Sequence, residues 1–134
     1  MKRFLILGSL PQDEKRHKLY TTIISICEKY GKEILSPIDT ANFKGTESER
    51  YNRAFKTVKW ADFIIGEQSE PSTGQGMEIR ESTILKKPLL VIAKTNSKIS
   101  GLVKGSSNLK NIIYYDNLEE LKLKLDKFLN KNFN

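Results

Sequence analysis

Short apolar runs alternate along this chain with stretches whose apolar residues recur at helical spacing. RFLILGS (3–9) carries the run Phe4–Leu7 closed by Gly8, the pattern of a strand buried on both faces. Leu19, Ile23, Ile24, Ile26 and Cys27 then recur at helical spacing over 13–30. Asp13 and Glu14 sit in the first turn and Gly31 lies just past the end, so a first helix is predicted there. KEILSP predicts a second strand stopped by Pro37, and the polar, glycine-containing residues 39–46 predict a loop. ESERYNRAFKTVKWA predicts a helix with Tyr51, Phe55, Val58 and Trp60 as its apolar members. DFIIGE, KPLLVIAK and LKNIIYYD predict three further strands, with Pro88 tolerated at the first position of its strand. A helix to about Lys86 follows the segment EPSTGQGMEIRES. SKISGLVKGSSN reads as a loop with room for one helical turn, and NLEELKLKLDKFLNK as a closing amphipathic helix with Leu118, Leu121, Leu125, Phe128 and Leu129 inward.

Strands alternating with helices imply a parallel sheet covered on both faces and wound through right-handed crossovers. Five strands at this length predict a single-domain α/β fold, a flavodoxin-like doubly wound five-stranded parallel sheet. In such folds the ligand lies beyond the carboxyl ends of the strands, at the point where the strand order reverses. Three loops fall at that edge: GSLPQ (8–12), EQSEPSTGQGME (67–78) and KTNSKISGLVKG (94–105).

Composition narrows the partners. The 134 residues suit one domain, and 38% hydrophobic with 29% charged content is ordinary for a soluble globular chain. No apolar run approaches the roughly 18 residues of a membrane span. The opening MKRFLILGSL has the basic-then-apolar order of a signal peptide, but its apolar part is too short and no small-residue cleavage site follows. The net charge of +7 raises nucleic acid as a partner, yet the basic residues are mostly Lys and spread evenly, so they read as a solvated surface. One buried-pattern cysteine, Cys27, predicts a reducing cytoplasm. With His17 and Cys27 far apart, no metal site is expected, and no motif calls for a cofactor.

EPSTGQGMEIRES carries the candidate chemistry. Ser72 to Gln75 has capping-box spacing, which predicts Ser72 as the cap of the helix after the third strand. A helix start offers free backbone N–H groups and a positive dipole end to an anion. Gly74 and Gly76 strip side chains from the first turn, and Glu78 follows before two turns have elapsed. The positive helix end predicts an ionised Glu78, suited to stabilise or attack the cationic anomeric carbon of a sugar. The same residues would serve equally as a turn followed by an exposed helical glutamate.

GSL after the first strand, LY at 19–20, WADFIIGEQSEPSTGQGMEI, KKPLLVIA and ISGLVKG stand in the order and spacing of a known family. The chain resembles the nucleoside 2-deoxyribosyltransferase superfamily, most closely its 2′-deoxynucleoside 5′-monophosphate N-glycosidases. The resemblance implies a flavodoxin-like fold, assembled as a homodimer or a larger oligomer, acting on a nucleoside or nucleotide. Glu78 would attack C1′ and release the base, with water or a second base resolving the intermediate. It implies Ser72 at the 5′-phosphate, Gly74 and Gly76 in the phosphate loop, Gly8 and Ser9 at the floor of the site, and Ser100 crossing to the neighbouring subunit's site. A transferase that exchanges bases and a nucleotide sensor that cleaves nothing are the rival readings.

Three positions depart from the family pattern. Leu5 stands where many members carry a tyrosine that orients the carboxylate, and Ala54 where they carry an aspartate that contacts the sugar. An arginine usual in the GSL loop is absent, leaving Gln12, Lys15, Arg16 and Lys104 as the cationic or polar candidates for phosphate. Among other residues, Asp62 is expected to cap its strand, His17 to face solvent, and Tyr20 to pack in the helix or line the pocket mouth. Glu67 ends the third strand at the ligand edge, with contact to ligand as one reading. Tyr114 and Tyr115 end the fifth strand at the same edge.

Overall fold

The computed structural model describes residues 2–134. Five strands, β1 (Arg3–Leu7), β2 (Glu33–Leu35), β3 (Phe63–Glu67), β4 (Leu89–Lys94) and β5 (Leu109–Tyr115), form one sheet in the order β2-β1-β3-β4-β5. All four pairings are parallel. The helices are α1 (Glu14–Cys27), α2 (Pro37–Asn42), α3 (Glu47–Trp60), α4 (Thr73–Ile84), α5 (Gly101–Lys104) and α6 (Leu118–Phe133). This is the flavodoxin-like order, whose strand sequence reverses between β1 and β3.

The period-two alternation of β1 divides the core. Phe4 and Ile6 point to one face, where Tyr20, Ile23 and Cys27 of α1 and Leu121, Leu125 and Leu129 of α6 cover them. Leu5 and Leu7 point to the other, against Val58 of α3, Ile79 of α4, and Val103 of α5. Burial pushes the Cys27 thiol up to about 12, so it packs as a small hydrophobe.

The polar stretch 39–46 is not all loop. Ser36 accepts the Ile38 N–H at 3.1 Å, and Asp39 returns a bond to the Ser36 N–H at 2.8 Å, nucleating α2 at Pro37. Proline at the first helical position suits its fixed φ, so the residue that ends β2 also starts a helix. Tyr51 departs from expectation as well: it is 58% exposed, edge-on to Phe55 at 4.6 Å between ring centroids. Asp62 stands before β3 but caps the neighbouring β1, its carboxylate accepting the Arg3 N–H at 2.9 Å, and hydrogen bonding from Arg3 holds its carboxyl below the usual range. His17 is exposed.

One glycine is fixed by a neighbour's packing. A Cβ at Gly8 would overlap the hydroxyl of Tyr20. That ring is fully buried, and its hydroxyl donates to the Ser9 carbonyl while accepting from Arg16, so it has nowhere to retreat. Gly8→Ala is therefore expected to lower stability by about 1–3 kcal/mol. Urea unfolding would measure it, and Tyr20→Phe in the Gly8→Ala background should restore part of the loss.

Candidate active site

Ser72 ends the β3–α4 loop in extended conformation and caps α4, its Oγ accepting the Gln75 N–H at 3.2 Å. The capping box is only half made. The Gln75 side chain turns inward and accepts from Gln68, so it does not return to the cap. The Ser72 carbonyl takes the Gly76 N–H at 3.0 Å, which leaves the first-turn N–H groups of Thr73 and Gly74 facing outward. Open space surrounds the positions where Gly74 and Gly76 would carry a Cβ.

Glu78 comes two residues after Gly76. At 100° per residue the two lie on opposite sides of α4, while Gly74 lies one turn before Glu78 on the same side. The structure follows this geometry and separates the predicted residues. Ser72, Gly76 and Ser100 line an open groove of about 1100 Å³ with Tyr51, Phe55 and Met77. Glu78 instead lines a narrow cleft of about 40 Å³ with Gly8, Leu5 and Leu7 of the β1 end. Ser36 and Thr40 cover it from the α2 side, and Arg53 and Thr57 from α3. The larger hollow is thus not the one that holds the carboxylate. The cleft lies at the carboxyl end of β1, beside the point where strand order reverses, as this fold class directs.

Glu78 differs electrostatically from expectation. Burial pushes its carboxyl up to about 7, against an opposing pull from the Arg53 guanidinium. The Arg53 cation does not offset the loss of hydration in a cleft lined on one side by the Leu5, Leu7 and Leu35 side chains. A carboxyl poised near neutrality can act either as a proton donor or as a nucleophile, depending on pH.

Neither Ser9 nor Ser100 lines the Glu78 cleft, although Ser9 follows Gly8, which does. Ser9 Oγ is buried with no partner, and Ser9 is held through its carbonyl by Tyr20. Ser100 is exposed and caps α5, accepting the Leu102 N–H at 3.2 Å. Of the candidates for an absent arginine, Arg16 is committed elsewhere: it is 7% exposed and its Nη1 donates to Glu67 Oε1 at 3.2 Å. Gln12, Lys15 and Lys104 are exposed.

Glu67 belongs to a buried network behind the site and lines neither hollow. Its carboxylate is fully buried and accepts from Arg16, from the Tyr115 hydroxyl at 2.6 Å, and from Ser69 Oγ at 2.6 Å. Ser69 Oγ in turn accepts the Lys94 N–H at 2.7 Å. Burial raises the Tyr20 and Tyr115 phenols, keeping both as donors at neutral pH. The network ties β3, β4 and β5 to α1 at the edge where the loops emerge. Tyr20 is accordingly a core residue and does not line a pocket mouth.

Arg53 is the site residue that spacing alone left unassigned. It shares a helix face with Thr57, four residues on, and both point into the Glu78 cleft. Its Nη1 donates to Thr40 Oγ1 at 3.2 Å, and its guanidinium lies 5.3 Å from the Phe43 ring centroid. The i, i+4 pairing of a cation with a hydroxyl facing the sheet edge was the available signal.

Comparison with known proteins agrees with this architecture. A curated relative from Methanosarcina mazei, named "Putative 2'-deoxynucleoside 5'-phosphate N-hydrolase 1", is 29% identical over 128 residues, covering 90% of this chain and 80% of its own. The solved CMP N-glycosidase of Clostridium botulinum, BcmB, superposes with a TM-score of 0.71 at 20% identity, over 92% of this chain and 99% of that one. The chain is similar throughout to enzymes of the N-glycosidase and deoxyribosyltransferase type. A solved 2-deoxyribosyltransferase from Bacillus psychrosaccharolyticus shares the fold with a TM-score of 0.66 at 19% identity, over 89% and 90% of the two chains. No family model matches the chain. The chain shares this fold with its sheet order β2-β1-β3-β4-β5, and carries Leu5 on β1 and Ala54 on α3.

Proposed function

We propose that the protein hydrolyses the N-glycosidic bond of a 2′-deoxynucleoside or its 5′-monophosphate, with Glu78 as nucleophile. The observation that carries this reading is a half-buried carboxylate beside bare backbone at the switch-point edge of the sheet. Gly74, one turn earlier on the same helix face, and the outward N–H groups of Thr73 and Gly74 would offer an anion site to a sugar phosphate. Ser72 and Gly76 would complete the phosphate loop from the neighbouring groove. Gly8 would floor the sugar, with Ser9 behind it. In the ionised form Glu78 attacks C1′, and water hydrolyses the resulting ester.

The cleft as it stands has room for little more than one water, whose share of liquid volume is about 30 Å³. Substrate entry would require a wider cleft, which an outward shift of α2, whose Ser36 and Thr40 line it, would give.

The protein is proposed to act as a cytoplasmic homodimer. Tyr51 and Met77 (47% exposed) line the open groove beside Leu102 (90% exposed), an apolar surface that a second copy would cover, with Ser100 crossing to the neighbouring site. Leu102→Glu is expected to shift the mass measured by light scattering from dimer to monomer.

Chromatography for free base, across deoxynucleosides and their 5′-monophosphates with wild type beside Glu78→Gln, tests the activity. Base released by wild type and not by the variant is the expected result. Release by both removes Glu78 from the mechanism. Adding a free second base separates the rival, because only a transferase forms the exchanged nucleoside.

A further inference from the structure

We infer that Arg53 is a catalytic residue that stabilises the departing base as an anion, which selects pyrimidine over purine leaving groups. The inference rests on the glycosidase reading above and adds the leaving-group side of the same site.

Arg53 and Glu78 line one cleft from the neighbouring helices α3 and α4, yet no ion pair within 4.0 Å joins them among the described residues. A cation and a carboxylate that share a cleft without pairing leave room for something between them. The guanidinium rests against the Thr40 hydroxyl and the Phe43 ring, at the C-terminal end of α2. Movement of α2 on substrate entry would release the Thr40 bond and free the guanidinium for the ligand. Around the cleft, Ser36, Thr40 and Thr57 add only hydroxyls, and no second carboxyl lines it to protonate a leaving group.

The chemistry follows from this charge pattern. The C1′–N bond breaks with its electron pair going to the base nitrogen, while a Glu78 oxygen forms the new bond to C1′. In a pyrimidine the negative charge spreads from N1 to the adjacent O2 carbonyl, an acceptor for a guanidinium donor. The base anion then takes a proton from the water that hydrolyses the Glu78 ester, and the carboxylate is restored. Sugar phosphate and neutral base are the products, and no other reactant is consumed. A purine has no carbonyl beside its glycosidic nitrogen and departs best when protonated at a distant ring nitrogen, which Arg53 cannot do.

The test is steady-state base release from dUMP, from 5-fluoro-dUMP and from dAMP, with wild type, Arg53→Gln and Arg53→Lys. Wild type should release adenine at least about a hundredfold more slowly than uracil. Arg53→Gln should lower kcat on dUMP by about 10²–10³-fold, the usual cost of removing one charge-stabilising donor, with KM changed only a few-fold. Arg53→Lys should recover part of that loss. On 5-fluoro-dUMP, whose base is the more stable anion, the Gln penalty should shrink. A merely structural role would depress both substrates alike, and equal thermal midpoints exclude misfolding. An equal penalty on both substrates, or adenine released as fast as uracil, overturns the inference and leaves Glu78 catalysis standing. No base from any substrate with wild type overturns both.

Discussion

Replacing Glu67 by alanine is expected to remove about 3–5 kcal/mol of stability, because it leaves a buried guanidinium with only the exposed Glu70 carboxylate, 3.8 Å away. Arg16 has 8% side-chain exposure and Glu67 none, so water cannot reach in to replace the lost carboxylate. The Tyr115 and Ser69 hydroxyls would lose their acceptor in the same step. Glu67→Gln keeps the shape and one acceptor, and should cost less. The double change Arg16→Met with Glu67→Leu should be more stable than Glu67→Ala alone, since removing both charges leaves neither unpaired. Urea unfolding of the set at neutral pH reads these differences. A Glu67→Ala protein within about 0.5 kcal/mol of wild type would show that the buried pair does not hold this edge together.

Glu78→Gln is expected to stabilise the fold above neutral pH while abolishing base release. The native carboxyl titrates at about 7 against an ordinary 4.5. Below the ordinary value it is neutral in both folded and unfolded chains, and no penalty exists. As pH rises to 7 the unfolded chain ionises first, so stability falls, and above 7 the whole penalty is present. That rise corresponds to at most roughly 3 kcal/mol, which glutamine escapes by carrying no charge. The variant should thus melt higher than wild type at pH 8 and level with it at pH 4. Its rate of base release should fall at least about 10³-fold. The wild-type rate should drop nearly tenfold per unit below pH 7, where the nucleophile is protonated. A variant that melts lower than wild type at pH 8 would mean that the carboxylate is not held at a cost. Stability given up for a buried reactive group is the usual bargain at active sites.

Much of the architecture was legible because it rests on local patterns. The apolar runs at 4–7, 63–65 and 89–93, each short and followed or preceded by Gly or Pro, read as strands buried on both faces, and each is one. Ser72 was readable as a cap from its spacing to Gln75, although the Gln75 side chain went to Gln68. The α2 helix was missed because its formation depends on Ser36 and Asp39 bonding across Pro37, inside a stretch whose composition reads as loop. The tie between Arg16 and Glu67 spans 51 residues, beyond any window of local pattern.

By itself the sequence determined the alternation of elements, the strand that each helix follows, and the placing of Glu78 just inside a glycine-thinned helix start. Those depend on neighbours a few residues apart, whose preferences survive without the rest of the chain. Only the tertiary structure decided that Glu78 faces Gly8 and Arg53 while Ser72, Gly76 and Ser100 face another hollow. It also decided that the carboxyl is pushed up by burial. Helix rotation relative to the sheet and loss of hydration are properties of packed neighbours from β1, α2 and α3, which no single segment carries.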